Sequence, residues 1–193
     1  MLQLPQGGYR KRGTLRILFV GTIGEIGEMT KTHTPNYTVI QDTREKEGWY
    51  FSEYDKCEGM EAGTLKTGDY TLKGFEEMVC IERKASTSEI AGNLGKKKKP
   101  FQAEMERMQE YPFAFLICEF SLDDLLKYPE DSNVPKRSMG KVRVTGKYLL
   151  KCLVEFQLWY NVKILFCGNK KNAFTVTNSI FKRLNDMFYE QVD

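Results

Sequence analysis

Acidic and basic side chains recur together in three short runs, Asp42-Thr-Arg-Glu45, Gly68-Asp69-Tyr70 and Glu82-Arg83-Lys84. Each lies at or beside the end of a predicted strand, so the three can converge on one edge of a sheet. The chemistry open to such a set is hydrolysis of a phosphodiester. That reaction needs charge neutralised on the transferring phosphoryl group and hydroxide generated near neutral pH, and a carboxylate-held Mg²⁺ or Mn²⁺ supplies both. Asp42, Asp69 and Glu82 are the candidate acids. Glu82 and Lys84, two positions apart on a strand, project from the same face and share one pocket. An ammonium there would orient the attacking water, favour its deprotonation and stabilise charge in the transition state.

The elements that must position these residues follow from the pattern around them. YTVIQDTRE, from Tyr37 to Glu45, is a short β-rich run ending in charges. LKTGDYTLKG and EEMVCIERK read as two strands with a turn at Lys73-Gly74, a hairpin that returns Glu82 beside Asp69. Gly68 suits a bend or a close ligand approach. Between Ser86 and Tyr111, Ile90 and Leu94, then Phe101, Met105 and Met108, predict two helices separated by Lys96 to Pro100. FAFLICEF predicts a strand covered on both faces, and Ser121 opens a short helix with a capping box before Pro129. Residues 128–144 have no periodicity and read as a loop. Helix, strand and helix follow at Gly146 to Tyr160, Val162 to Cys167 and Ala173 to Tyr189. The alternation predicts a layered α/β fold, with residues 1–36 an N-terminal appendage carrying a strand at Leu15 to Val20 and residues 37–193 one domain.

Composition bounds the alternatives. A chain of 193 residues with 41% hydrophobic and 12% aromatic residues can bury a core without disulfides. Formal charge is only +3, from 29 Lys and Arg against 26 Asp and Glu, so any basic surface is local. The five cysteines form no CxxC pair and point to a reducing, cytoplasmic setting. His33 is the sole histidine, which leaves no material for histidine triads or zinc. Gly21-Thr-Ile-Gly24-Glu-Ile-Gly27 lacks dinucleotide-loop spacing, and no signal peptide or membrane span is expected.

In this order, D-x-R-E, G-D-Y and E-R-K resemble the nuclease domain of the XPF family of structure-specific endonucleases, within the PD-(D/E)XK superfamily. The similarity runs from about Tyr37 onward, and Phe101-Gln-Ala-Glu-Met-Glu-Arg-Met with Tyr111-Pro-Phe-Ala is most similar to compact phage and bacterial members. The resemblance implies a restriction-endonuclease-like α/β fold, a central mixed β-sheet flanked by helices. It implies Asp69 and Glu82 as principal metal ligands, the Arg83 carbonyl as a third, Asp42 as a further acid, Lys84 as the catalytic lysine, and Glu45 and Arg44 in support. It further implies DNA as partner, branched DNA among its forms, roles in repair or recombination, products with 5′-phosphate and 3′-hydroxyl ends, and a homodimer. Two departures stand out. The acid expected downstream of E-R-K is matched only by Glu89, one residue out of place, and Lys96 to Lys99 replace a glycine-arginine pair. The paired helix-hairpin-helix module of eukaryotic and archaeal relatives has no counterpart before Asp193, so branch specificity through it is not assumed.

Several signals admit a plainer reading. E-R-K alone also fits a solvated charge cluster, and Asp42-Thr-Arg-Glu45 a strand-end turn with an internal ion pair. Lys96, Lys97, Lys98 and Lys99 are either a solvated loop or a phosphate contact, and Lys136 and Arg137, with Lys141 and Arg143, either clamp DNA or solubilise a loop. Arg44 and Arg83 are further DNA-contact candidates. Trp49, Tyr50 and Phe51 stack on bases or, by preference, pack the sheet edge. The rival functions are a catalytically silent DNA-binding or assembly subunit of the same fold, and a nuclease acting on RNA.

Overall fold

The computed structural model describes residues 35–54, 56–130, 132 and 134–190, so the strand expected at Leu15 to Val20 lies outside the described residues. Strands β1 (Tyr37–Asp42), β2 (Glu53–Tyr54), β3 (Cys57–Gly63), β4 (Tyr70–Leu72), β5 (Val79–Lys84), β6 (Phe113–Cys118) and β7 (Lys163–Phe166) form a seven-stranded sheet in the order β2-β3-β1-β4-β5-β6-β7. β1 runs parallel to β3 and antiparallel to β4, β4 antiparallel to β5, and β5, β6 and β7 are mutually parallel. The expected mixed sheet flanked by helices is therefore what forms. Parallel neighbours need long crossovers, supplied by α1 (Thr87–Leu94) and α2 (Lys98–Met108) between β5 and β6, then by α3 (Leu122–Lys127), α4 (Lys136–Met139) and α5 (Gly146–Tyr160) before β7. The last helix is α6 (Lys170–Glu190).

Both faces of the sheet are covered. Cys80, Ala114, Leu116 and Cys118 pack with Leu94, Met105, Leu149 and Phe156 of α1, α2 and α5. Val79, Ile81 and Ile117 pack with Tyr70, Leu72, Phe181 and Leu184 on the side of α6. The period of two along β5 then divides its charged end. Glu82 and Lys84 follow Cys80 toward α2, whereas Arg83 follows Ile81 toward the opposite face. All six residues of β5 are buried, so each of the three charges must find a partner.

Most elements match the sequence reading, and the exceptions have local causes. The break between α1 and α2 is Gly95 to Lys97 and shorter than expected, because Pro100 sits in the first turn of α2, where amides have no intrahelical acceptor and a missing N–H costs nothing. β2 and β3 were not foreseen: Cys57–Gly63 holds two glycines and two glutamates, and only Cys57 is fully buried. Lys136–Met139 coils into one helical turn within the expected loop. The Ser121 capping box forms with Asp124. Phe101, Met105 and Met108 anchor α2 in the core, each contributing about 1.5–3 kcal/mol of burial.

Candidate active site

The site assembles where β1, β4 and β5 run side by side. Asp42 N–H donates to the Asp69 carbonyl at 2.8 Å, and Asp69 N–H to the Ile81 carbonyl at 2.8 Å. The Asp69 carboxylate, through Oδ2, accepts from Arg83 N–H at 2.8 Å, which fixes this acid on the strand that carries Glu82. A strand residue turns its N–H and C=O to the same side, so the Arg83 carbonyl faces Asp69 as well. Gly68 permits the approach: its φ is +81°, and a Cβ there would lie 2.6 Å from Cys80 Sγ and 3.1 Å from the Ile81 carbonyl oxygen.

On the α2 side of β5, Lys84 Nζ donates to Glu82 Oε1 at 2.7 Å and to Glu89 Oε1 at 3.3 Å, and lies 5.3 Å from the centre of the Phe101 ring. Glu89 Oε2 accepts from Ala85 N–H at 2.9 Å. The acid displaced by one position in the sequence pattern thus still reaches the lysine. Burial raises the Asp69 carboxyl to about 6; the Arg83 N–H and the Lys84 charge oppose the rise, and Glu45 and Glu104 add to it. Burial also raises Glu82 well above the carboxylate range, with Lys84 opposing and Asp69 and Glu104 reinforcing. Lys84 loses hydration by burial, yet Glu82 and Glu89 outweigh that and hold the ammonium charged. Two carboxylates pressed toward neutrality beside one lysine make a site deficient in positive charge.

Asp42 forms the internal ion pair of the plainer strand-end reading. Its oxygens accept four donors: Arg44 Nε at 2.6 Å, Arg44 Nη2 at 3.0 Å, Arg44 N at 2.8 Å and Leu65 N at 2.8 Å. Four donors match a carboxylate's lone pairs, and in this arrangement Asp42 clasps Arg44. Burial pushes its pKa up, but the Arg44 and Leu65 hydrogen bonds and the Arg44 charge win and hold it at about 2. The Arg44 side chain is 68% exposed.

The Arg83 side chain corrects an expectation, contact with DNA. It is 7% exposed and forms a bidentate pair with Glu119, Nε to Oε1 at 2.7 Å and Nη2 to Oε2 at 3.0 Å. Trp49 Nε1 donates to the same Oε1 at 2.7 Å, and the Arg83 Cζ lies 5.8 Å from the Trp49 ring centre. Trp49 and Phe51 are buried while Tyr50 is 76% exposed, so two of the three aromatics pack the sheet as preferred.

An open cleft of about 230 Å³ borders the acids, lined by Asp42, Arg44, Glu45, Gly68, Asp69 and Glu82. It is also lined by Lys66, Thr67, Glu104 and Arg107, which sequence reasoning missed. A signal for Glu104 existed: it lies three residues after Phe101 and four before Met108, on the buried stripe of α2, where an acid is out of place. Lys96 to Lys99, Lys136 and Arg137 do not line this cleft.

The oxygens of Asp69 and Glu82 and the Arg83 carbonyl form a hard donor set suited to Mg²⁺ or Mn²⁺. Among the described residues no three His, Cys, Asp or Glu side chains group closely enough to hold a metal alone. A cation here would complete its shell with water and phosphate oxygens, as Mg²⁺ does when one or two carboxylates bind it. The charge deficit at Asp69 and Glu82 fits such an ion.

A family model of the ERCC4 domain matches residues 41–180, a span that holds all three motifs. Among solved structures, XPF from Aeropyrum pernix is similar at TM-score 0.51 and 21% identity, over 80% of this chain and 70% of that one. XPF from Aeropyrum pernix in complex with DNA is similar at TM-score 0.53 and 21% identity, over 78% of this chain and 66% of that one. Identity at this level shows shared fold. No curated protein matches. With most of its length matched and its sheet and helices arranged as in XPF, the chain belongs to the ERCC4-domain family.

Proposed function

We propose that this chain is a divalent-metal-dependent DNA endonuclease. The observation that carries the reading is the placement of two carboxylates, buried Glu82 and half-buried Asp69, beside the Lys84 ammonium at the edge of an open cleft. DNA as substrate draws on the ERCC4 family and on the related fold in complex with DNA. Preference for flap, fork or junction DNA, and assembly as a homodimer, rest on the family resemblance.

The chain's own residues divide the work. A divalent cation, when bound, supplies charge neutralisation and acidifies water. Asp69, Glu82 and the Arg83 carbonyl would hold it. Lys84 orients the water whose oxygen bonds to phosphorus and stabilises negative charge as the P–O3′ bond breaks, leaving a 5′-phosphate and a 3′-hydroxyl. Glu82 and Glu89 keep Lys84 protonated and fix its direction. Asp42 acts through Arg44, aiming an exposed guanidinium at the cleft where a phosphate arrives.

The test uses labelled linear duplex, flap, fork and four-way-junction DNA, and RNA of matching sequence, in Mg²⁺ and in EDTA. Cleavage of DNA in Mg²⁺ alone, with 5′-phosphate ends, is expected. Binding of every DNA without cleavage in Mg²⁺ or Mn²⁺ would replace the enzyme by a silent DNA-binding subunit, and cleavage of RNA alone would reassign the substrate.

A further inference from the structure

Two basic groups distant in sequence meet at one corner of the fold. Tyr148 Oη donates to the Leu94 carbonyl at 3.4 Å, and a Cβ on Gly95 would lie 3.3 Å from Val144 Cγ2. Lys98 Nζ sits 5.7 Å from the centre of the Tyr148 ring and 3.8 Å from Cys152 Sγ. The break between α1 and α2 is thereby seated on the segment that enters α5. Lys96 and Lys97 follow Gly95, and Arg143 and Lys147 flank Val144 and Tyr148. All four are exposed, and none forms an ion pair among the described residues. The run of four lysines is therefore divided: Lys98 turns inward against Tyr148, while its neighbours remain uncompensated at the surface.

Helix α2 joins this corner to the acidic cleft. Lys97 is its N-cap, and Glu104, seven residues on, lines the cleft. At 1.5 Å per residue that is about 10 Å along the helix. Duplex DNA rises about 3.4 Å per nucleotide along each strand, so a strand laid along α2 from the cleft would meet the corner about three nucleotides from the phosphodiester in the cleft. Four positive charges with no acid among them raise the cost of the empty surface and favour an anion with repeating charge.

We propose that Lys96, Lys97, Arg143 and Lys147 form a phosphate-backbone clamp that grips the DNA strand about three nucleotides from the scissile bond. This clamp rests on the DNA endonuclease reading and adds to it the path of the substrate away from the cleft. It contacts phosphates and reads no sequence.

The experiment compares wild-type protein with the variant Lys96→Gln/Lys97→Gln/Arg143→Gln/Lys147→Gln, after thermal melts show that both fold. Anisotropy of labelled duplex and flap DNA is measured in EDTA from 50 to 200 mM KCl, and single-turnover cleavage in Mg²⁺. Each lost phosphate contact lowers the slope of log affinity against log salt by about 0.9, so the loss of all four is expected to lower it by about 3.6. KM rises while kcat at saturating DNA stays within about twofold. A neutral methylphosphonate at the third phosphate from the cut weakens binding by wild type and leaves the variant unaffected. An unchanged salt slope in the folded variant overturns the clamp, even if wild type cleaves DNA. A reduced slope in the variant, with a wild-type protein that never cleaves, upholds the clamp and overturns the endonuclease reading instead.

Discussion

Removing one partner of the Arg83–Glu119 pair should destabilise the protein far more than removing both. Each side chain is 7% exposed, their two hydrogen bonds are 2.7 and 3.0 Å, and Trp49 Nε1 adds a third to Glu119 at 2.7 Å. Arg83→Met leaves the buried Glu119 carboxylate with Trp49 Nε1 but no counter-charge, and Glu119→Leu leaves the buried guanidinium only Glu45 at 3.5 Å. Breaking a buried pair in this way costs about 3–5 kcal/mol, whereas replacing both partners with apolar groups of similar volume is close to neutral. At about 2–4 °C per kcal/mol for a chain of this size, each single change lowers Tm by roughly 10 °C. Urea unfolding of wild type, both singles and the double closes the cycle, and the double is expected to fall short of the sum of the singles by about 6–10 kcal/mol. Single costs below about 1 kcal/mol, the range of exposed pairs, would refute the reasoning, as would costs that simply add. Because Arg83 holds Asp69 through its backbone, DNA affinity in EDTA should survive Arg83→Met.

Three further outcomes follow from the site. Gly68→Ala forces a Cβ to 2.6 Å from Cys80 Sγ at a φ of +81° and should cost about 1–3 kcal/mol in urea unfolding; a neutral result would contradict the tight turn. In metal-free protein the Asp69 carboxyl is raised to about 6. Its contribution is therefore full below the unfolded value near 4 and lost as pH rises through 6, about 2–3 kcal/mol at most. Asp69→Asn should flatten that part of the stability–pH profile, and an unaltered profile would contradict the assignment. Mg²⁺ at 100 times its Kd should add about 2.7 kcal/mol of stability, read as a rise in Tm that Asp69→Asn and Glu82→Gln abolish; an equal rise in those variants would place the cation elsewhere.

The sequence made the catalytic strand legible because strand alternation is strict: once Glu82-Arg83-Lys84 is extended, Glu82 and Lys84 must share a face. The same rule sends Arg83 to the other face, but its partner Glu119 is far away in the chain and only the parallel pairing of β5 with β6 brings it close. The Arg44 pair with Asp42 was open to a reading of the sequence as an internal ion pair, but the Leu65 N–H, across a loop of unspecified path, was not. Glu104 was visible as an acid on a buried helix stripe, but such a stripe shows which residues face inward and not what they face. β3 escaped notice because its glycines and glutamates lack the apolar alternation of a strand, and pairing with β1 and β2 supplies its order. Capping and helix limits at Ser121 and Gly146 were readable because they depend on neighbours in sequence.

Single-turnover cleavage of flap DNA at saturating Mg²⁺, by wild type and by Asp69→Asn, Glu82→Gln and Lys84→Met, bears most directly on the central claim. Each of the three should bind DNA with near wild-type affinity in EDTA and cleave at least about 100-fold more slowly, the scale on which removing one preorganised charged group acts. Wild-type cleavage rates in folded Asp69→Asn and Glu82→Gln would show that the chemistry lies elsewhere on the molecule.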